Sequence, residues 1–256
     1  QGDVAEIFRV SGRGELHIGI LIETMRREGY ELMVSMPRVI MREGDAGPEE
    51  PYEAVTIDCG EDFSGAVIQD LNLRGGELTV MKNDGDLVRL EFNIPSRGLI
   101  GYRSRFLTQT RGTGSLHKIF AGYGPYKGEF QRRSNGVLVV LETGQATSYS
   151  LETLQERGTL FVTPGDRVYN GQICGENSRI QDLVVNPCKA KKLDNMRTQF
   201  KEIDTKLNTP RLMALEEALE YINADELVEI TPSSIRLRKR ILDHSNRRRI
   251  EKKAQA

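Results

Sequence analysis

The chain has 256 residues, of which 38% are hydrophobic and 29% are charged, and this composition is typical of a globular protein with one to three domains. No apolar run approaches the roughly 20 residues that a membrane-spanning helix needs, so we expect no membrane partner. The N-terminus does not resemble a signal peptide. Cys59, Cys174 and Cys188 are scattered and form no CxxC pair, which argues against a zinc site or a disulfide framework. A reducing, cytoplasmic setting is expected.

The formal net charge of −1 hides a segregated pattern. Residues 212–232 carry six acidic groups and no Lys or Arg, whereas residues 236–253 hold nine basic groups against two acids. Residues 189–206 hold six basic groups against three acids. Local basic blocks of this kind favour contact with a polyanion. For residues 245–256, a merely solubilising tail is an equally good interpretation.

The first 45 residues predict a strand, a helix and a second strand. Residues 7–10 have a strand pattern, and residues 30–36 predict a strand that returns beside them. Between them lies an apolar stripe at helical spacing, formed by Ile18, Leu21, Ile22 and Met25. This unit is too small to be a domain, so we expect half of a two-layer α/β domain in a chain that is part of a longer protein.

Residues 37–50 are rich in Pro, Gly and acids and predict a linker. The elements that follow, up to residue 126, predict the order βαββαβ, which is the ferredoxin-like arrangement. Its second helix begins at Pro95-Ser96, where Ser96 is a good N-cap residue. Several arginines on this helix are compatible with a phosphate-binding device, but an ordinary solvated face is the favoured interpretation of these residues alone.

From residue 127 onward, short strand patterns at 137–141, 146–151, 159–162, 167–169 and 172–174 predict a mostly β domain. Residues 186–210 show almost no periodicity and predict a long exposed loop. A helix with an apolar stripe, two more strands at 227–230 and 235–237, and a basic helical tail complete the chain.

Five stretches of the sequence are distinctive. They are FRVSGRGELHIGILIETMRREGYEL, IPSRGLIGYRSRF with the GTGSLH after it, GVLVVLETGQATSYSLETLQERGTLFVTPGDRVYNGQI, VVNPCKAKKLDNMR and ALEEALEYINADELVEITPSSIRLRKR. Together, and in this order, they resemble the BipA/TypA family of translational GTPases over residues 5–240. The part before residue 127 is also similar to elongation factor G.

The resemblance implies an α+β chain with three parts. Residues 1–45 would be the second half of a ferredoxin-like domain III, residues 46–126 a complete ferredoxin-like domain V, and residues 127–256 the family's mostly β C-terminal domain, with a long basic loop at 186–210 and a basic tail. The GTPase domain would be absent, and no GxxxxGK[ST] motif occurs in the sequence. We therefore expect no catalytic residue, no GTPase activity and no cofactor or metal here, because GTP and Mg²⁺ would bind the missing domain.

The resemblance also implies a partner, the ribosome, with roles in stress adaptation and large-subunit assembly. The loop NPCKAKKLDNMR would contact rRNA and the tRNA acceptor end, and ribosomal proteins would be further partners. The chain is expected to be a monomer. The residues expected to touch RNA are Lys189, Lys191, Lys192, Asn195 and Arg197. Further possible rRNA contacts are Arg97, Arg103, Arg105, Arg236, Arg238, Lys239 and Arg240. Ala190 departs from the family pattern, which has glycine there.

Two other functions compete with this one. An autonomous RNA-binding or ribosome-assembly module would need only the basic segments and no GTPase partner domain. A hydrolase or metalloenzyme has little support, because His17, His117 and His244 lie far apart and no catalytic spacing is present. The favoured hypothesis is therefore a non-catalytic, ribosome-binding part of a translational GTPase.

Overall fold

The computed structural model describes residues 7–45, 47–129, 133, 135–190 and 207–254, which belong to two units. Residues 37–134 form the ferredoxin-like unit. Residues 1–36 and 135–256 form the second, called the composite unit because it combines the two ends of the chain. In the described ranges, none of the helices has the length and apolar character needed to cross a membrane.

The described elements alternate between short helices and strands. The helices are α1 (Glu15–Arg27), α2 (Glu61–Leu73), α3 (Tyr102–Gln109), α4 (Ser148–Gln155), α5 (Leu215–Tyr221) and α6 (His244–Ala254). The strands are β1 (Leu32–Ser35), β2 (Arg42–Gly44), β3 (Gly47–Gly60), β4 (Glu77–Asp84), β5 (Leu87–Pro95), β6 (Ser115–Pro125), β7 (Val137–Val140), β8 (Gly144–Gln145), β9 (Gly158–Leu160), β10 (Arg167–Val168), β11 (Gln172–Asn177), β12 (Leu183–Val185), β13 (Glu226–Ile230) and β14 (Ile235–Lys239).

The ferredoxin-like unit has an antiparallel sheet in the order β6–β3–β5–β4, with α2 and α3 as its helices. Alternate residues of β3 and β5 are buried, because successive strand side chains point to opposite faces. Ile57 of β3 is paired with both Leu90 of β5 and Leu116 of β6. The predicted α+β class and the βαββαβ order are confirmed.

Two local predictions in this unit were wrong. The expected linker contains β2, which pairs with the first residues of β3. The helix expected from Ser96 is only a 3₁₀ turn at Ser96–Leu99, and α3 begins after Gly101. Gly101 has φ 73°, which interrupts a helix, and a Cβ on Gly98 would lie 2.4 Å from the Arg74 carbonyl oxygen. Close backbone packing therefore overrides the N-cap signal.

The composite unit is built on a sheet in the order β1–β13–β14–β11–β7–β12, with β9 paired to β11. β1 lies at its edge and pairs antiparallel with β13, with Leu32 opposite Ile230. The expectation that residues 30–36 return beside a strand at 7–10 was therefore wrong, and residues 7–10 contain no strand. The predicted three-domain division of the chain stays a prediction.

The strand predicted at residues 146–151 was also wrong, because Ser148 begins helix α4. Thr147 is its N-cap residue, and the Thr147 side chain accepts a hydrogen bond from the Ser150 backbone N–H at 3.2 Å. Leu151 and Leu154 lie on the buried side of this helix. Their spacing of three residues is the helical signal, but two apolar residues in so short a segment do not distinguish a helix from a strand.

We expect Ile22→Ala to lower the free energy of unfolding by about 2–4 kcal/mol, because Ile22 is 5% exposed and packs in one cluster with Leu215 and Leu219 of α5. Ile20→Ala on the same helix is the matched control, since Ile20 is 56% exposed. Urea unfolding of both variants measures the difference. Equal, small effects would show that α1 does not pack into the composite unit.

Candidate nucleic-acid interface

The first stem of the predicted basic loop is fixed to the start of helix α4. The Ser150 hydroxyl donates to the Asn186 carbonyl oxygen at 2.7 Å. Thr147 donates two hydrogen bonds to this stem. Its backbone N–H donates to the Pro187 carbonyl oxygen at 3.0 Å, and its hydroxyl donates to the Lys189 carbonyl oxygen. Residues 186–189 are therefore held at the N-terminal end of α4, and the Lys189 side chain is exposed just beyond.

The second stem is fixed to the other end of the same helix and to the neighbouring strand β9. The Asn208 backbone N–H donates to Gln155 Oε1 at 3.0 Å, and the Arg211 backbone N–H donates to the Leu160 carbonyl oxygen at 2.8 Å. At a rise of 1.5 Å per residue, the two attachment sites on α4 are about 10 Å apart. Lys191, Lys192, Asn195 and Arg197 lie outside the described residues, so their predicted RNA contacts stay predictions.

Arg97, a predicted rRNA contact, has intramolecular partners in the ferredoxin-like unit. Its guanidinium forms an ion pair with the fully buried Glu50 and donates to the Gly128 carbonyl oxygen. It also lies 4.6 Å from the centre of the Tyr126 ring. Glu50 in turn accepts from the Lys127 backbone N–H at 2.9 Å. Arg97 and Glu50 therefore hold residues 126–128 in place.

Arg105 also binds a carboxylate of its own unit. Its Nε lies 2.6 Å from Oδ2 of Asp70, which is 6% exposed and also pairs with the buried Arg74. Arg74 donates to the carbonyl oxygens of Gly98 and Ile100 at 3.1 and 3.3 Å. Arg103 is exposed, as Arg105 is, but among the described residues its side chain has no ion-pair partner.

The four predicted residues around β14 are not equivalent. Arg236 and Arg238 lie on the partly exposed face of the strand, whereas Lys239 is buried and Arg240, just after the strand, is exposed. Arg236 pairs with Glu229 at 3.8 Å, and Arg238 Nε donates to the Lys239 carbonyl oxygen at 3.2 Å. Arg236, Arg238 and Arg240 are therefore available at a surface.

The predicted basic helical tail is present as helix α6. Asp243 Oδ1 accepts from the Asn246 backbone N–H at 2.8 Å, which caps the first turn. Arg247 donates to the carbonyl oxygens of Ile241 and Leu242, so its guanidinium joins the helix to the preceding chain. The exposed cations of the helix are Arg248, Arg249, Lys252 and Lys253.

Comparisons with known proteins agree with the resemblance of the sequence to the BipA/TypA family and to elongation factor G. The family model described as the TypA/BipA C-terminal domain matches residues 135–244, and that of the elongation factor G C-terminus matches residues 48–134. Proteins named large ribosomal subunit assembly factor BipA from Haemophilus influenzae and Bacillus subtilis are 53% and 51% identical, over 94% and 95% of this chain. The Escherichia coli K12 protein of that name is 53% identical over 96% of the chain.

This chain belongs to the BipA/TypA family of translational GTPases. It spans about 40% of the length of the curated relatives it matches. The elongation factor G match lies within the ferredoxin-like unit, and the TypA/BipA match lies within the composite unit. Helix α6 lies almost entirely beyond the end of the TypA/BipA match.

In this BipA/TypA chain, Lys239 has a structural role. It is 3% exposed, and its Nζ lies 2.6 Å from Asp182, 2.7 Å from Asp225 and 2.9 Å from the fully buried Glu226. Burial lowers the pKa of Lys239, but the three carboxylates outweigh burial and raise the pKa above its ordinary value. The carboxylate cluster could hold a metal ion by composition, but the ammonium group lies among its oxygens. Lys239 is therefore not accessible to RNA in this structure.

We expect Lys239→Met to lower the free energy of unfolding by about 3–5 kcal/mol, because it leaves the buried Glu226 carboxylate without its cation. Arg240→Met is the control, since it removes the neighbouring but exposed positive charge. Chemical unfolding of the two variants measures the difference. A Lys239→Met variant as stable as Arg240→Met would contradict the structural role.

Proposed function

We propose that this chain is a non-catalytic, ribosome-binding part of a BipA/TypA translational GTPase. It contacts rRNA and the tRNA acceptor end through the basic loop at residues 186–210, and ribosomal proteins are further partners. Its relatives are named large ribosomal subunit assembly factors, which supports the large subunit as the partner. A role in stress adaptation is part of the same proposal.

The single observation that supports it most directly is the attachment of both loop stems to α4. The two stems are held by hydrogen bonds to Thr147, Ser150 and Gln155, and a lysine is exposed at the exit of the first stem. Stems fixed in this way reduce the freedom that the loop loses when it binds a partner. Lys and Arg side chains on such a loop can neutralise phosphates and release counterions.

The arginines around β14 extend this interface. The partly exposed Arg238 and the exposed Arg240, with the cations of α6, offer a second set of phosphate contacts. Arg236 is less suited, because it pairs with Glu229 at 3.8 Å. Arg97 and Arg105 are less suited to RNA contact, because each already pairs with a carboxylate of its own unit. Lys239 is unsuited because it is buried. Arg103 remains a candidate.

The proposal assigns no chemical step to this chain. The sequence lacks the phosphate-binding motif of P-loop GTPases, and we propose that GTP and Mg²⁺ bind a separate domain of the parent protein. The chain acts as a monomer in the cytoplasm. GTP hydrolysis by the purified chain would refute this part of the proposal, and size-exclusion chromatography with light scattering tests the monomer.

We expect alanine substitution of four loop cations to weaken ribosome binding at least tenfold and to make the slope of log K against log salt shallower by about 3. The reason is that each phosphate contact releases counterions. The substituted residues are Lys189, Lys191, Lys192 and Arg197. Co-sedimentation with large subunits at several salt concentrations measures both quantities.

A control variant removes four exposed cations away from the loop and from the other predicted contacts. They are Arg9, Arg13, Lys82 and Lys118. This variant should bind within about twofold of the wild type, since distant charges are screened at physiological salt. If the loop variant bound as tightly as the control, the loop would not be the main contact.

A second test uses Cys188, which is half-buried beside Lys189, whereas Cys59 and Cys174 are fully buried. Burial raises the pKa of Cys174 to about 12, and burial with the Glu142 charge raises the pKa of Cys188 less far. Because the thiolate is the reactive form, alkylation should accelerate as pH rises and should reach Cys188 first. We expect bound large subunits to slow Cys188 alkylation. An unchanged rate in the complex would contradict contact at the first stem.

A further inference from the structure

The composite unit contains a cavity of about 350 Å³ that the loop and α6 do not explain. Arg26 near the end of α1, Arg167 of β10, Gln172 of β11 and Arg236 of β14 contribute to its wall. Arg211, just after the second loop stem, completes the polar lining together with the β13–β14 turn. A volume of this size is within the range of small-molecule sites. We call it the arginine cavity.

The lining itself has an excess of positive charge, although carboxylates outside it, including Glu176 at 3.4 Å from Arg211, partly offset that excess. Arg26, Arg167, Arg211 and Arg236 are opposed by one lining carboxylate, Asp166, whose Oδ2 accepts from the Thr163 backbone N–H and hydroxyl at 2.7 and 3.0 Å. In the described part of the chain, Arg167 has no ion-pair or hydrogen-bond partner. A guanidinium group carries five N–H donors, so this lining can bind an anion.

The other three guanidinium groups are held by carboxylates outside the lining. Arg26 lies 3.2 Å from Glu23, Arg211 lies 2.6 Å from Glu217, and Arg236 lies 3.8 Å from Glu229. These pairs orient the side chains and leave further N–H groups of each guanidinium unused. They also lower the net positive charge, so Arg167 is the strongest single attraction for an anion.

Gln172 provides an independent observation. It is 4% exposed, and its Oε1 accepts from the Tyr169 backbone N–H at 3.2 Å. Among the residues that the structure describes, its side-chain amide nitrogen has no acceptor. This nitrogen is not among the buried side-chain atoms that lack a partner, so it keeps contact with solvent. It can therefore donate to a ligand oxygen in the cavity in place of water.

The remaining lining is largely apolar and includes Phe161, Leu212, Met213 and Ile235. A polar, cationic side next to an apolar side fits a small ligand that carries both a phosphate and a planar ring. We infer that the arginine cavity binds a free phosphorylated ligand of the nucleoside monophosphate class. Arg167 and Gln172 bind the phosphate oxygens, and the apolar side packs against the ring. The site needs neither the basic loop nor α6, and Arg167 and Gln172 are not among the predicted RNA contacts.

Titration calorimetry of the full chain with AMP, GMP, CMP and UMP tests the inference. At least one mononucleotide should bind more tightly than inorganic phosphate and more tightly than its own nucleoside. Arg167→Ala should weaken that binding about tenfold, because it removes charge-assisted hydrogen bonds. Gln172→Leu should weaken it as well, provided that circular dichroism shows an intact fold.

Arg248→Ala is the matched control, since it removes one exposed arginine of the same unit on α6, outside the cavity. It should leave mononucleotide affinity unchanged. Three results would overturn the inference. The first is no mononucleotide binding at millimolar concentration, and the second is an equal loss of mononucleotide affinity in Arg167→Ala and Arg248→Ala. The third is that an RNA octamer without terminal phosphates competes for the site as effectively as a mononucleotide. Ribosome co-sedimentation of Arg167→Ala should match the wild type, so a failure of either proposal can be recognised separately.

Discussion

The ammonium group of Lys239 is the point on which the composite unit depends. Taking a charge out of water costs several kcal/mol, and this cost is offset only when opposite charges and hydrogen bonds surround the group. Asp182, Asp225 and Glu226 provide these contacts from two directions, the approach to β12 and the start of β13. β12 leads directly into the first loop stem. A buried ion cluster thus fixes the framework from which the RNA-binding loop is proposed to extend.

The ferredoxin-like unit was predictable because its signals are local and agree with one another. Alternating burial in β3 and β5, a tight turn between β4 and β5, and helices of ordinary length all indicate the same fold. The predictions failed where a distant partner decides the outcome. β1 pairs with β13, far along the chain, and no local pattern identifies that partner. Helix α4 was missed because its N-cap and its short apolar face resemble a strand with a turn.

The candidate site was predictable in residue type but not in environment. The sequence shows that Arg97, Arg105 and Lys239 are cationic, but it does not show whether an internal carboxylate or an external phosphate lies beside them. Glu50 lies 47 residues before Arg97, and Asp70 lies 35 residues before Arg105. Only the folded chain brings these pairs together. The sequence also gives no sign that Arg167 and Gln172 share a cavity, because the cavity forms only when separate strands of the folded chain come together.

The pairing of β1 with β13 has a consequence for synthesis of the chain. The ferredoxin-like unit is continuous in sequence and can fold as soon as residues 37–134 have been made, whereas α1 and β1 must wait for residue 230. At about 5–20 residues per second, this delay lasts roughly 10–40 s. During that time Ile22 and the β1 edge have no partner from β13 or α5. Translation that stalls before residue 226 would therefore leave a finished ferredoxin-like unit attached to an α1–β1 segment whose strand edge can pair with other chains.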